Sequence, residues 1–143
     1  MIEALEKKRD RASKIYSLLK EEYPNSKCSL HYTTPHELLV ATILSAQCTD
    51  DRVNMVTKHL FKKYHSPKDF AYCNLESLSE DIHSCGYHNQ KAKNIKGASL
   101  TIVEEHKCVV PSSLDELVAL PGVGRKTANC VLGEIYNVPS MVI

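Results

Sequence analysis

The stretch from Leu117 to Gly133, reading LVALPGVGRKTANCVLG, constrains this chain more than any other. Leu117, Val118 and Leu120 close one helical pattern, and Lys126 to Leu132 open another. Between them Pro121-Gly122-Val123-Gly124 leaves room only for a tight turn. Glycines at 122 and 124 are expected to take backbone angles closed to other residues and to let a second backbone approach closely. The amides that begin the second helix then point outward without partners, with the positive end of the helix dipole behind them. A phosphate can be held there without side-chain charge. A plain helical hairpin would carry the same turn, but Arg125, Lys126 and Thr127 follow it directly and favour an anionic partner.

The rest of the chain reads as helices. Residues 3–23 are amphipathic, with Leu5, Ala12, Ile15, Tyr16, Leu19 and Tyr23 near one face and a cluster of basic residues mostly on the other. Thr34-Pro35-His36-Glu37 has the form of a capping box with proline at the first helical position. The following run, Leu38 to Leu44, is apolar almost all round, which predicts a helix at the centre of the core. Thr49 or Asp50 starts the next helix, Ser66-Pro67 a short one, and Asn74 another that Gly86 closes. A longer helix is expected from Asn89 to about Glu105, broken by Val109-Val110-Pro111. Ser113 to Glu116 forms a second capping box leading into the hairpin. No β alternation runs beyond three residues, so the spacing predicts an all-α chain of about eight helices joined by short loops.

Composition narrows the function classes. A length of 143 residues suits one ordinary domain. The net charge of +1 means that any DNA contact must be a local patch, not a bulk field. No apolar run approaches a membrane span and no secretory signal opens the chain, so an intracellular protein is expected. The six cysteines are scattered without a CxxC pair, which argues against both a zinc site and a redox pair and for reduced core residues.

The pattern LPGVGRKTAN, residues 120–129, resembles the helix-hairpin-helix of the endonuclease III family of DNA glycosylases and AP lyases. PHELLVATILSAQCTDDRVN, residues 35–54, is similar to that family's stretch with the SAQ-T-D signature. Cys85 to Ile95 resembles its second DNA-facing loop, although Tyr87 stands where the family usually offers leucine. The resemblance covers nearly the whole chain from about residue 13 and implies an all-α helix-hairpin-helix glycosylase fold. Residues 24–137 would form its six-helix barrel, with the hairpin at 113–133. Residues 1–23 would be a helix of the second helical subdomain, and 138–143 the start of the segment that carries the family's catalytic aspartate. That aspartate would be the next residue after Ile143, so the chain is expected to be incomplete at its C-terminal side.

What the resemblance implies for the site follows residue by residue. Lys126 matches the nucleophilic lysine. Gln47 matches the residue that enters the gap left by the flipped nucleotide, and Tyr87 would be the wedge into the opposite strand. Gly122, Val123, Gly124, Arg125 and Thr127 would grip the DNA backbone. Lys91 and Lys93 are further candidates for phosphate contact. The implied partner is double-stranded DNA with damaged or abasic sites, and a monomer is expected. The implied place of work is the cytoplasm, near the nucleoid, or the nucleus. The family's 4Fe–4S cluster sits on four closely spaced cysteines near the C-terminus, and no cysteine spacing here matches it, so no metal ligand is assigned to this chain. The implied activity is removal of oxidised pyrimidines and cleavage 3′ to the abasic site. A non-catalytic DNA-binding module and a mismatch-specific glycosylase that removes only the base remain as alternatives.

Overall fold

The computed structural model describes residues 2–143, and among them every regular element is helical. The order is α1 (Leu5–Glu22), α2 (Pro35–Ser45), α3 (Asp50–Lys63), α4 (Pro67–Tyr72), α5 (Leu75–Asp81), a 3-10 turn (His83–Cys85), α6 (His88–Glu105), α7 (Leu114–Val118) and α8 (Arg125–Tyr136). The helix starts follow local chemistry. Side chains of Thr34, Thr49, Ser66, Asn74 and Ser113 each accept a hydrogen bond from an amide in the first turn of the helix they cap. The reciprocal bond of a capping box is complete at Ser66, where Asp69 answers the cap. At the expected box on α2, Glu37 reaches one residue further back, to the Thr33 amide at 2.6 Å. At α7, Glu116 accepts from the Ser113 hydroxyl at 2.7 Å and leaves the Ser113 amide unanswered.

The long run of apolar residues places α2 at the centre. Leu38, Leu39, Val40, Ala41, Ile43 and Leu44 are all buried, and α2 packs against α3, α6 and α8. Ile95, Ala98 and Ile102 of α6, Leu117 of α7 and Ala128, Val131 and Leu132 of α8 complete one continuous core. Each fully buried aliphatic side chain contributes about 1.5–3 kcal/mol relative to exposure. His36 is drawn into this core, with Nε2 2.8 Å from the Ser99 hydroxyl and the ring 5.3 Å from that of Phe70. Burial lowers its pKa to about 4, against a weaker upward pull from Glu37.

The helix α6 ends at Glu105 as expected, but the break comes ahead of Val109-Val110-Pro111, where the chain turns left-handed at Lys107 (φ 53°) and Cys108 (φ 64°). Gly86 does stop the preceding segment with φ 73°, but a 3-10 turn separates it from α5. The helix α1 is amphipathic in sequence, yet none of its residues is buried. Ile15, Leu19 and Tyr23 are 48%, 52% and 61% exposed.

Candidate DNA-repair site

The hairpin is built as one rigid corner. The helix α7 ends at Val118, and Leu117, Leu120 and Val123 drop their side chains into the core. The Val123 amide donates to the Leu120 carbonyl at 3.1 Å, which closes the turn. Gly122 has φ 74°, and a Cβ there would lie 2.6 Å from Asn94 Cβ of α6. Glycine is required at 122 by both conformation and space. Gly124 corrects the expectation made for it. Its φ of −88° is open to any residue, and an added Cβ would meet nothing within 4 Å. Nothing inside the protein demands glycine at 124, so any demand has to come from what approaches the hairpin from outside.

Gly124 is also the N-cap of α8, and it has no side chain to offer. Among the described residues, the amides of Gly124, Arg125, Lys126 and Thr127 have no hydrogen-bond partner. Five other helices satisfy such amides with a capping side chain, whereas this one leaves the positive end of its dipole bare.

From that end α8 runs along a cleft of about 680 Å³. Lys126, Cys130 and Glu134, spaced by four, present one face of the helix to it. Gln47, Asp50 and Val142 also line it. Gln47 and Lys126, 79 positions apart in sequence, thus face one space. Thr127 lines it as well, whereas Arg125 lies in a separate groove beside Asn129 and Ser140. Val123 is buried and its amide is already used, so only the free amides from Gly124 onward are left to an anion.

Gln47 sits in the left-handed region with φ 52°, exposed, just beyond the end of α2. Tyr87 is left-handed too (φ 47°) and 68% exposed, on the loop that leads into α6. Both are conformations that non-glycine residues adopt only when the surroundings impose them. Lys93 is exposed, but Lys91 is not. It is 5% exposed, with Nζ donating to the carbonyls of Leu44 and Cys85 at 2.8 and 2.9 Å. The expectation of a phosphate contact from Lys91 is therefore wrong, because its ammonium is turned inward and its donors are engaged.

Several cleft residues escaped the sequence reading. Thr49 takes the capping role on α3, which frees Asp50 to accept from the Ser29 hydroxyl. Glu134 accepts from the Tyr32 hydroxyl at 3.3 Å. Burial first, then Cys28 and Glu134, push the Cys130 thiol up to about 11. The four-residue stride 126, 130, 134 was the available signal for Cys130 and Glu134. All six cysteines are free, and no group of three or more His, Cys, Asp or Glu could hold a metal among the described residues. Nor does any described helix have the length and apolarity to cross a membrane.

The segment after α8 doubles back along it. Asn137 (φ 52°) ends the helix, and the Val138 amide donates to the Leu132 carbonyl at 3.0 Å. Asn129 Nδ2 then donates to the Met141 carbonyl at 2.9 Å, and the Ser140 hydroxyl to the Asn129 carbonyl at 2.7 Å.

This arrangement has close parallels. An Endonuclease III of Synechocystis sp. is 49% identical over 138 residues, 96% of this chain and 63% of its own length. A solved non-covalent Endonuclease III–DNA complex superposes with a TM-score of 0.88 at 39% identity, covering 99% of this chain and 64% of that one. A trapped Endonuclease III–DNA covalent intermediate matches with the same score, identity and coverage. The chain spans less than two thirds of the length of each of these proteins. Residues 40–138, which hold the second half of α2, both exposed loops, the hairpin and all of α8, match the HhH-GPD family model, and the chain accordingly belongs to the HhH-GPD superfamily of base excision DNA repair proteins.

Proposed function

We propose that this chain carries the lysine half of a bifunctional DNA N-glycosylase/AP lyase acting on double-stranded DNA with damaged or abasic sites. One observation carries the reading. Lys126 stands exposed in the first turn of α8, between the free amides of the hairpin and a cleft that Gln47 also enters. The amides of Gly124, Arg125, Lys126 and Thr127 would hold a backbone phosphate, with the Arg125 guanidinium beside it. The bare Gly124 lets the strand approach closely. Gln47 would fill the space left by the extruded nucleotide, and Tyr87 would stack into the opposite strand.

The chemistry follows from the amine. Neutral Lys126 Nζ would attack the sugar C1′, and the bond from C1′ to the base would break. The base would leave with its bonding electrons and take up a proton, while the amine loses one. The nitrogen lone pair then expels the ring oxygen, breaking the C1′–O4′ bond as O4′ takes up a proton. The resulting iminium acidifies C2′, and loss of that proton breaks the C3′–O bond and releases the 3′ phosphate. Oxidised pyrimidines are the substrates that the resemblance to endonuclease III suggests. A carboxylate partner for the amine would come from the C-terminal side, where the doubled-back segment puts Val142 at the cleft. The scattered cysteines do not fit a 4Fe–4S cluster, and no step proposed for this chain passes through one.

The same reading divides the chain. Residues 24–137 would form the barrel, since α2 to α8 share one core. The helix within residues 1–23, which buries nothing here, would belong to a second helical subdomain. The protein would work as a monomer wherever the cell keeps its DNA, in the cytoplasm or nucleus.

Borohydride trapping on a duplex with one abasic site tests the proposal. A covalent adduct should form and should vanish in Lys126→Ala, whose fold is untouched because the side chain is exposed. A wild-type protein that binds the duplex without trapping is a binding module, and an adduct that survives Lys126→Ala assigns the nucleophile wrongly.

A further inference from the structure

Lys91 is the unexplained charge of this molecule. It is 5% exposed, and among the described residues neither of the two ion pairs involves it. A buried cation without an anion is costly, and an apolar side chain of the same length would fill the space without that cost. What the ammonium has instead is two carbonyls from two separate elements.

The first, Leu44 O, is one of the last carbonyls of α2, which the helix itself cannot satisfy. Its neighbours are served locally: Thr42 O accepts from the Ser45 hydroxyl, and Ser45 O from the Cys48 amide. Among the described residues Leu44 O is served only by Lys91, at the negative end of the α2 dipole. The second, Cys85 O, belongs to the 3-10 turn immediately before Gly86 and Tyr87. Three residues after Leu44 comes Gln47, and two after Cys85 comes Tyr87. Both are exposed and left-handed, so neither tip is secured by burying its own side chain. The Cys85 thiol also lies near the ammonium, and that thiol has the Cys48 thiol and Arg52 as its other neighbours.

We infer that Lys91 is a positioning residue that ties the Gln47 loop to the Tyr87 loop, so that the two tips enter a duplex as one unit with fixed spacing. The inference rests on the reading of Gln47 and Tyr87 as the groups that enter DNA. One ammonium with two acceptors makes each loop depend on the other: if either carbonyl swings away, the buried cation loses half of its coordination. Discrimination between a duplex with a missing base and an intact one depends on both tips filling the gap together. Grip on the backbone, built on the α8 amides, does not.

Amide hydrogen exchange and duplex binding test this on the 143-residue chain. In the wild type, the Cys48 and Gly86 amides, which close the two loops through Ser45 O and His83 O, should open with one common free energy and one denaturant dependence. In Lys91→Met both should exchange faster by about tenfold or more, the effect of losing a charge-assisted bond to each. Amides in the second half of α6 should stay unchanged. Preference for a duplex bearing a tetrahydrofuran abasic analogue over the intact duplex should fall about tenfold. Affinity for the intact duplex should hold, and Lys91→Arg should restore part of the preference. Independent opening of the two loops in the wild type overturns the inference even if Lys91→Met does not fold. So does a variant that folds and keeps its preference for the analogue. A wild type that does not distinguish the two duplexes overturns the functional reading instead, and exchange alone then decides the tie.

Discussion

Gly122 and Asn94 are in such close contact that a single methyl group on the glycine would lie 2.6 Å from Asn94 Cβ. The hairpin is thereby seated against α6, and its two glycines have different duties. Gly122→Ala forces a left-handed alanine into occupied space and should destabilise the fold by about 2 kcal/mol or more. Gly124→Ala meets nothing and keeps an ordinary φ, so its unfolding midpoint in urea should match the wild type. Its affinity for duplex DNA should nonetheless fall across all sequences, because a methyl group there stands between phosphate and amides. Wild-type affinity in a stable Gly124→Ala would show that the DNA does not approach at that corner.

His36 makes stability depend on acid. Its folded pKa of about 4 lies below the ordinary 6.5, so the unfolded chain binds the proton first. The folded state is favoured above pH 6.5 and loses ground as the pH falls towards 4. Between pH 7 and pH 5 this one group should remove about 2 kcal/mol. Urea unfolding at the two values should show a loss that shrinks by that amount in His36→Gln, whose amide can still reach Ser99. An unaltered pH slope in the variant would mean that His36 is not the acid-sensitive group.

Tyr87 holds a left-handed backbone while leaving its ring in solvent. Asparagine tolerates that conformation better, so Tyr87→Asn should be as stable as the wild type or gain about 1 kcal/mol. Its preference for an abasic duplex should drop, because a stacking ring contributes about 1–3 kcal/mol. Calorimetry and competition binding separate the two effects, and a variant that loses both stability and preference contradicts this account of the loop.

Cys130 lies on the cleft face of α8, but burial and its neighbours hold its thiol at about 11. At pH 8 its thiolate should be about a hundredfold scarcer than that of an ordinary cysteine. Iodoacetamide should therefore modify Cys130 far more slowly in the native protein than in urea, as peptide mapping would show. Equal rates would place the thiol in an open, polar setting.

The sequence disclosed what short-range chemistry decides. Thr34, Thr49, Ser66, Asn74 and Ser113 mark helix starts because a cap needs only the next three residues. The apolar girth of α2 announced a buried centre for the same reason. Pairings between distant residues were less open to reading. Nothing near Lys91 signals that its ammonium reaches Leu44 and Cys85, and a lysine in a helix reads as surface by default. The different demands on Gly122 and Gly124 depend on whether another helix lies alongside, which no local pattern records. The meeting of Gln47 and Lys126 in one cleft was foreseeable only through the family resemblance, and Glu134 was passed over because its partner Tyr32 is 102 positions away.

The helix α8 begins with its free amides at Gly124 and carries Lys126 two residues later. Along a helix axis that is a separation of about 3 Å, set by backbone geometry and not by any flexible joint. If the amides hold a phosphate, the amine is delivered to a sugar at a constant offset from it, whatever bases lie between. The chain would then act as a ruler laid on the DNA backbone, and one residue inserted after Gly124 would shift its mark while leaving the grip intact.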